Sequence, residues 1–183
     1  LILAHDYRDA GRRVPLTLDE GLAHLTSSPF EGIELDVDLK LPGYEARVVA
    51  ALHAHGVVER SIVCSQYVES LAALRAADPQ VRVGWSVPKA RRDYTNSALY
   101  KLPALAALAV AKRILPGRAA EAIRAGGCDA MMVPWRLVSP ALVRSVGRAG
   151  GEVYVWTVDD EEHIRALEAI GVTGVITNDP RLF

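Results

Sequence analysis

From residue 32 onward, short apolar segments alternate six times with helical patterns, and this rhythm constrains the fold more than any other feature. The strand-like segments are GIELDVDLK (32–40), SIVCS (61–65), VRVGWSV (81–87), CDAMMVP (128–134), EVYVWTV (152–158) and VTGVIT (172–177). Between them lie EARVVAALHAHG (45–56), YVESLAALRAA (67–77), SPALVRSVGRAGG (139–151) and DDEEHIRALEAIG (159–171). These carry helix signals: Gly56 as a stop, Ser139 as N-cap with Pro140 behind it, and acids in the first turn after 159. Short apolar strands joined by helices predict an α/β fold, a parallel sheet with helices packed outside.

Two stretches are less regular. In 88–127, Lys89, Arg91 and Arg92 suggest a loop. LYKLPALAALAVAKRI then suggests a helical region broken at Pro103, and GRAAEAIRAGG a second helix. Upstream, LILA (1–4) reads as a strand, YRDAGRRVP (7–15) as turn-rich, and TLDEGLAHL (17–25) as a helix in which Thr17 and Glu20 form a capping box.

A doubly wound sheet would offer a glycine-rich phosphate turn after a strand, and none of these strands is followed by one. A TIM (β/α) barrel has eight units in typically about 250 residues. Six units in 183 residues predict an incomplete barrel, lacking its first two strands. No composition break divides the chain, so 1–183 reads as a single domain.

Half of the residues are hydrophobic and the formal net charge is −1, so a core is affordable and no overall charge favours nucleic acid or a membrane surface. Cys64 and Cys128 lie far apart in apolar runs, as small buried residues do. No apolar run reaches a membrane span; LPALAALAVAKRIL (102–115) is shorter and contains two cations. The chain opens without Met, on a segment already strand-like. It therefore reads as a processed product or a piece of a longer protein. A cytoplasmic location is the default, and the compartment stays open.

In GIELDVDLK, Ile33, Leu35, Val37 and Leu39 alternate with Glu34, Asp36, Asp38 and Lys40. Period-2 alternation separates two faces of a strand. In a barrel the apolar set would face the helices and the ionisable set the interior, with the working site at the strands' C-terminal ends. Asp38 and Lys40 reach that end; Glu34 and Asp36 lie deeper, as ion-pair partners. Glu34 and Asp38 sit some 13 Å apart along the strand, too far to share one divalent ion. Asp38 is a metal ligand or half of a structural ion pair, and any metal needs carboxylates from neighbouring strands.

His5-Asp6 follows a strand in a polar loop, where a histidine suits general acid or base work or is simply solvated. His24, His53, His55 and His163 fall on helices, in surface or packing roles. Trp156 stands near a strand's C-terminal end, as pocket wall or core aromatic. Asp159 and Asp160 read as acids at a helix N-terminus.

Taken together, LILAHD, VPLTLDEGLAHL, VDLKLPGYEARVVAALHAHGVVERSIVCS and VYVWTVDDEEHIRALEAIGVTGVITNDPRLF resemble the glycerophosphodiester phosphodiesterases, a TIM-barrel family, in the family's own order. The family's opening His-Arg-Gly and Glu-x-Asp strands have no counterpart here; Glu34-Leu35-Asp36 follows the His-Asp pair and is a coincidence.

The resemblance implies metal-dependent hydrolysis of a glycerophosphodiester, a small-molecule substrate, to glycerol 3-phosphate and an alcohol. It implies that His5 is one of two catalytic histidines and that Asp38, where the family usually has Glu, is a ligand of Mg²⁺ or Ca²⁺. Lys40 would neutralise phosphate charge and Trp156 would wall the glycerol side of the pocket. With one histidine and one ligating carboxylate, the chain as given is expected to be inactive. Two alternatives stand beside this reading: a lysophospholipase D-like phosphodiesterase, and a non-catalytic barrel that binds a phosphorylated ligand.

Overall fold

A computed structural model describes residues 1–87 and 101–183; the expected loop around Lys89, Arg91 and Arg92 lies outside them. The chain divides into two compact units, Leu1–Val83 and Gly84–Phe183. All six expected strands form, and their order in the sheet is their order in the chain.

The first unit holds α1 (Tyr7–Ala10), α2 (Leu18–Leu25), β1 (Leu35–Leu39), α3 (Glu45–Ala54), β2 (Ser61–Ser65) and α4 (Val68–Ala77), and ends within β3 (Arg82–Ser86). β1 runs parallel to β2, with Leu35 opposite Ser61 and Leu39 opposite Ser65. Leu52, Val63 and Leu74 are completely buried at the centre of this unit. The buried serines of β2 are satisfied: Ser61 donates to the Val57 carbonyl (2.6 Å) and Ser65 to that of Leu39 (3.2 Å). The expected capping box of α2 forms, with the Thr17 N–H donating to the Glu20 carboxylate (2.8 Å) and the Glu20 N–H to the Thr17 hydroxyl (3.2 Å).

The N-terminal segment departs from expectation. LILA makes no strand with β1; Ile2 forms one isolated antiparallel bridge with Thr17. Its N–H and C=O groups go instead to the segment entering α2, Leu3 donating to Leu16 (2.8 Å) and accepting nothing from β1, while the Leu1 carbonyl receives the Leu18 N–H (3.0 Å). A run of apolar residues becomes a strand only where a neighbour accepts its ladder. Ile33 likewise precedes β1 and is 48% exposed, so it does not pack under the helices as its alternation suggested.

The second unit holds the rest of β3, then α5 (Lys101–Arg124), β4 (Ala130–Pro134), α6 (Pro140–Arg148), β5 (Glu152–Trp156), α7 (Glu161–Ala169) and β6 (Gly174–Val175). β3, β4, β5 and β6 are parallel neighbours in turn. Where two helices and a break at Pro103 were expected, α5 is one helix of 24 residues. Pro103 sits in the first turn, where an N–H has no intrahelical partner to lose. Pro116 lies inside the helix and costs one ladder bond. Its own burial, with that of Ala119, Ala120 and Ile123, holds the helix on course through it.

Glu45, the first residue of α3, is only 7% exposed, and its carboxylate accepts the Gly43 N–H at 2.9 Å. Burial works to raise its pKa, but hydrogen bonds, that from Gly43 among them, outweigh it and leave the carboxyl below its ordinary value. A depressed carboxyl contributes stability that is present above its unfolded value, about 4.3, and is lost as pH falls through the folded one. Glu45→Gln should therefore lower the urea midpoint at neutral pH and flatten its fall between about pH 5 and 3. An unchanged acid limb would remove Glu45 from the account.

Candidate active site

β1 and the loop that follows it position the charged side chains. Leu35 and Leu39 are buried, while Asp36 and Asp38 alternate with them toward the other face. Glu34 pairs with Arg82 at 3.3 Å, the ion-pair role expected for it. Asp36 takes a different partner: the Cys64 thiol donates to its carboxylate at 3.0 Å. Burial raises the Asp36 pKa, with Asp38 adding to the push. Burial, then the two aspartates, push the Cys64 thiol up so far that it remains protonated. The salt bridge expected for Asp36 is thus a thiol contact, because its β2 neighbour Ile62 and the facing Cys64 bring no cation.

At the C-terminal end of β1, the Lys40 ammonium donates to the Asp38 carboxylate. The two side chains are 47% and 39% exposed, so the pair contributes at most about 1 kcal/mol and either member is free to take another partner. Across the same end of the unit lies His5. Its backbone N–H donates to Asp9 (2.9 Å), and its Nδ1 is 3.6 Å from the Asp6 carboxylate. Asp6 caps α1 by accepting the Asp9 N–H at 2.8 Å. Asp9 in turn is gripped by Arg13 through two bonds of 2.9 and 2.7 Å, and Arg13 also reaches the Leu3 carbonyl (3.2 Å). That guanidinium, with the His5 N–H, holds the Asp9 carboxyl down to about 2. The Asp9–Arg13 anchor is therefore fully charged at any ordinary pH.

His5, Asp38 and Lys40 line one cavity of about 550 Å³, together with Tyr44 and a mostly apolar wall that includes Leu39 and Val48. Tyr44 also accepts the Leu41 N–H on its hydroxyl at 3.2 Å, which steadies the backbone beside Lys40. Neither Tyr44 nor the Asp9–Arg13 anchor was among the residues expected at the site. The i, i+4 spacing of Asp9 and Arg13 was a legible signal; nothing local marked Tyr44. Trp156 belongs to the second unit, at the end of β5. It is half-buried, with its indole N–H enclosed and unpartnered among the described residues.

In the second unit the two acids after β5 divide their work. Asp160 is the N-cap of α7, accepting the His163 N–H at 2.9 Å. Asp159 instead accepts the Thr177 hydroxyl (2.9 Å), the Asn178 N–H (2.7 Å) and the Asn178 amide (2.9 Å). The hydrogen bonds from Asn178 lower its pKa and tie it to the segment after β6. The other histidines do surface work: His53 lies 2.7 Å from Asp78, His55 lies 3.4 Å from Asp19, and His24 packs on Phe30.

The donor set for a divalent ion is thin. Among the described residues no three His, Cys, Asp or Glu side chains gather as a metal-holding group. Asp38 is the one carboxylate on the cavity besides Asp6, and its partner is a lysine. A hard cation takes six or more oxygen ligands, so these residues do not fit one unaided.

Residues 31–182 match the sequence model of the Glycerophosphoryl diester phosphodiesterase family. The chain is 38% identical over 69 residues to Glycerophosphodiester phosphodiesterase GDPD4 of Arabidopsis thaliana, which covers 38% of this chain and 21% of that protein. Among solved structures it is similar to a candidate glycerophosphoryl diester phosphodiesterase of Silicibacter pomeroyi DSS-3, with a TM-score of 0.70, 21% identity, and 92% of this chain against 55% of that one. It is also similar to an Oleispira antarctica phosphodiesterase in complex with the product sn-glycerol-3-phosphate, with a TM-score of 0.59, 19% identity, and 91% of this chain against 59% of that one. These likenesses show the fold: an incomplete TIM barrel, with six parallel strands of the type's eight. The chain spans between about half and two-thirds of the length of the structures it matches, and a fifth of the Arabidopsis protein.

Proposed function

The chain belongs to the glycerophosphoryl diester phosphodiesterase family, and we propose that it carries the phosphate-binding part of a phosphoric diester hydrolase site. The reaction is hydrolysis of a glycerophosphodiester to glycerol 3-phosphate and an alcohol. One observation supports this above the others: His5, Asp38 and Lys40 line the same cavity.

The chemistry follows from the residue types. Water adds to phosphorus as the bond to the leaving oxygen breaks, so negative charge grows on the phosphoryl oxygens and on the leaving group. Lys40, held only by an exposed partner, swings its ammonium from Asp38 to a phosphate oxygen and offsets that charge. His5 gives a proton to the leaving oxygen or takes one from the attacking water, as imidazole does near neutral pH. The Asp9–Arg13 anchor fixes the backbone that carries it. In this family a divalent ion, Mg²⁺ or Ca²⁺, would supply Lewis-acid charge, and Asp38 would give it one ligand.

The test uses the 183-residue chain. Titration with sn-glycerol 3-phosphate, followed by backbone amide NMR, should shift the signals of 38–41 and 5–7 first. Shifts confined to other regions, or none at millimolar ligand, would defeat the assignment. With glycerophosphocholine and Mg²⁺ or Ca²⁺, turnover should be absent or far below ordinary enzyme rates, because one histidine cannot serve both proton transfers. Turnover at rates of about 1 s⁻¹ or more would refute that account. The apolar wall of the cavity favours a second reading, in which the alcohol carries an acyl chain. Lysophosphatidylcholine competing better than glycerophosphocholine for the same amide shifts would support it.

A further inference from the structure

We infer that the first half of α5 is a docking face for an anionic lipid surface, a property independent of the reaction proposed above. The observation is an inversion. Helices of this unit normally turn polar residues outward: α7 exposes Glu161, Glu162, Arg165 and Glu168 and buries Ile164. α5 does the opposite. Leu102, Leu105, Val110 and Ile114 are 79%, 44%, 56% and 51% exposed, and at 100° per residue they share one broad face with exposed Ala106 and Ala109. An exposed apolar patch of this continuity marks an interaction surface.

Charge identifies the occupant. Residues 101–120 contain four cations, Lys101, Lys112, Arg113 and Arg118, and no acid, although the whole chain has a net charge of −1. The balance of the full sequence conceals this local excess. Arg113 is exposed and lies on the apolar face itself, and Lys112 flanks it. Long cationic side chains beside an apolar stripe lay their stems along acyl chains and reach lipid phosphates with their heads. A second copy is a poorer occupant, since its matching face would bring cations and no acid to meet these cations. Residues 102–114 extend about 20 Å at 1.5 Å per residue, short of the ~30 Å hydrocarbon core. No helix among the described residues is long and apolar enough to cross a membrane, so α5 would lie in the plane of the lipid surface.

The experiment is co-sedimentation of the 183-residue chain with vesicles of phosphatidylcholine alone or mixed with phosphatidylserine. Binding to the mixed vesicles should be at least several-fold tighter and should weaken as salt is raised. The double variant Leu105→Glu, Val110→Glu should lose it, and Lys112→Gln, Arg113→Gln should weaken it several-fold, which decides the matter if the first variant melts early by circular dichroism. The proposal is overturned if the wild-type chain ignores phosphatidylserine, or if both variants bind as well as it does. It is equally overturned if sedimentation velocity finds a dimer that the Glu variants dissociate while vesicles bind nothing.

Discussion

Arg60→Ala should destabilise the chain by about 3 kcal/mol, the largest loss expected from any single side chain away from the apolar core. Arg60 ends a short helical turn just before β2, and its guanidinium closes the loop between α2 and β1. It donates to the carbonyls of Leu25 (2.7 Å), Phe30 (3.0 Å) and Ile33 (2.5 Å). A hydrogen bond from a charged donor contributes roughly 1.5–3 kcal/mol; water replaces part of that where the Ile33 carbonyl is open, which brings three bonds down to the figure above. Arg60→Lys should recover only a fraction, since an ammonium cannot reproduce the planar fork. Urea unfolding of the three proteins checks this. A loss under about 0.5 kcal/mol for the alanine variant would mean that the loop holds itself. Because the loop sets where β1 begins, the variant should also broaden the amide signals of 33–40.

Lys40→Ala should weaken binding of sn-glycerol 3-phosphate by about 10- to 100-fold, the worth of one charge-assisted contact to phosphate. Stability should scarcely move, because the Lys40–Asp38 pair is exposed on both sides. Calorimetric titration beside a urea melt separates the two. Lys40→Arg should retain much of the affinity, since the charge is kept even as its shape changes. Asp38→Asn offers the complementary measurement: it frees the ammonium from its partner and should tighten, not loosen, phosphate binding by the chain alone. Equal affinity in wild type and Lys40→Ala would remove the phosphate from this end of β1 and leave the proposed chemistry without its charge partner.

Local pattern carried the secondary structure a long way. The six strands lie where the apolar segments put them, because a strand buried on both faces must be almost wholly apolar, and SIVCS and AMMVP are buried along their full length. The capping box at Thr17 and Glu20 and the Ser139 cap were equally legible, being satisfied within four residues. Asp38 and Lys40 were legible for the same reason: two-residue spacing places them on one face at the end of one strand.

What the local pattern could not reach depends on partners distant in sequence. LILA has strand composition but meets Thr17 instead of a sheet neighbour. Asp36 finds Cys64 on the next strand, Asp159 finds Asn178, and Arg60 finds carbonyls up to 35 residues away. Periodicity reports which way a side chain points, and a cap reports a bond closed nearby; neither reports which donor waits across a fold. Hence the order of strands and the charged end of β1 could be read from the residues alone, whereas the cavity that gathers His5 with that end, and the outward apolar face of α5, came into being only when the chain packed.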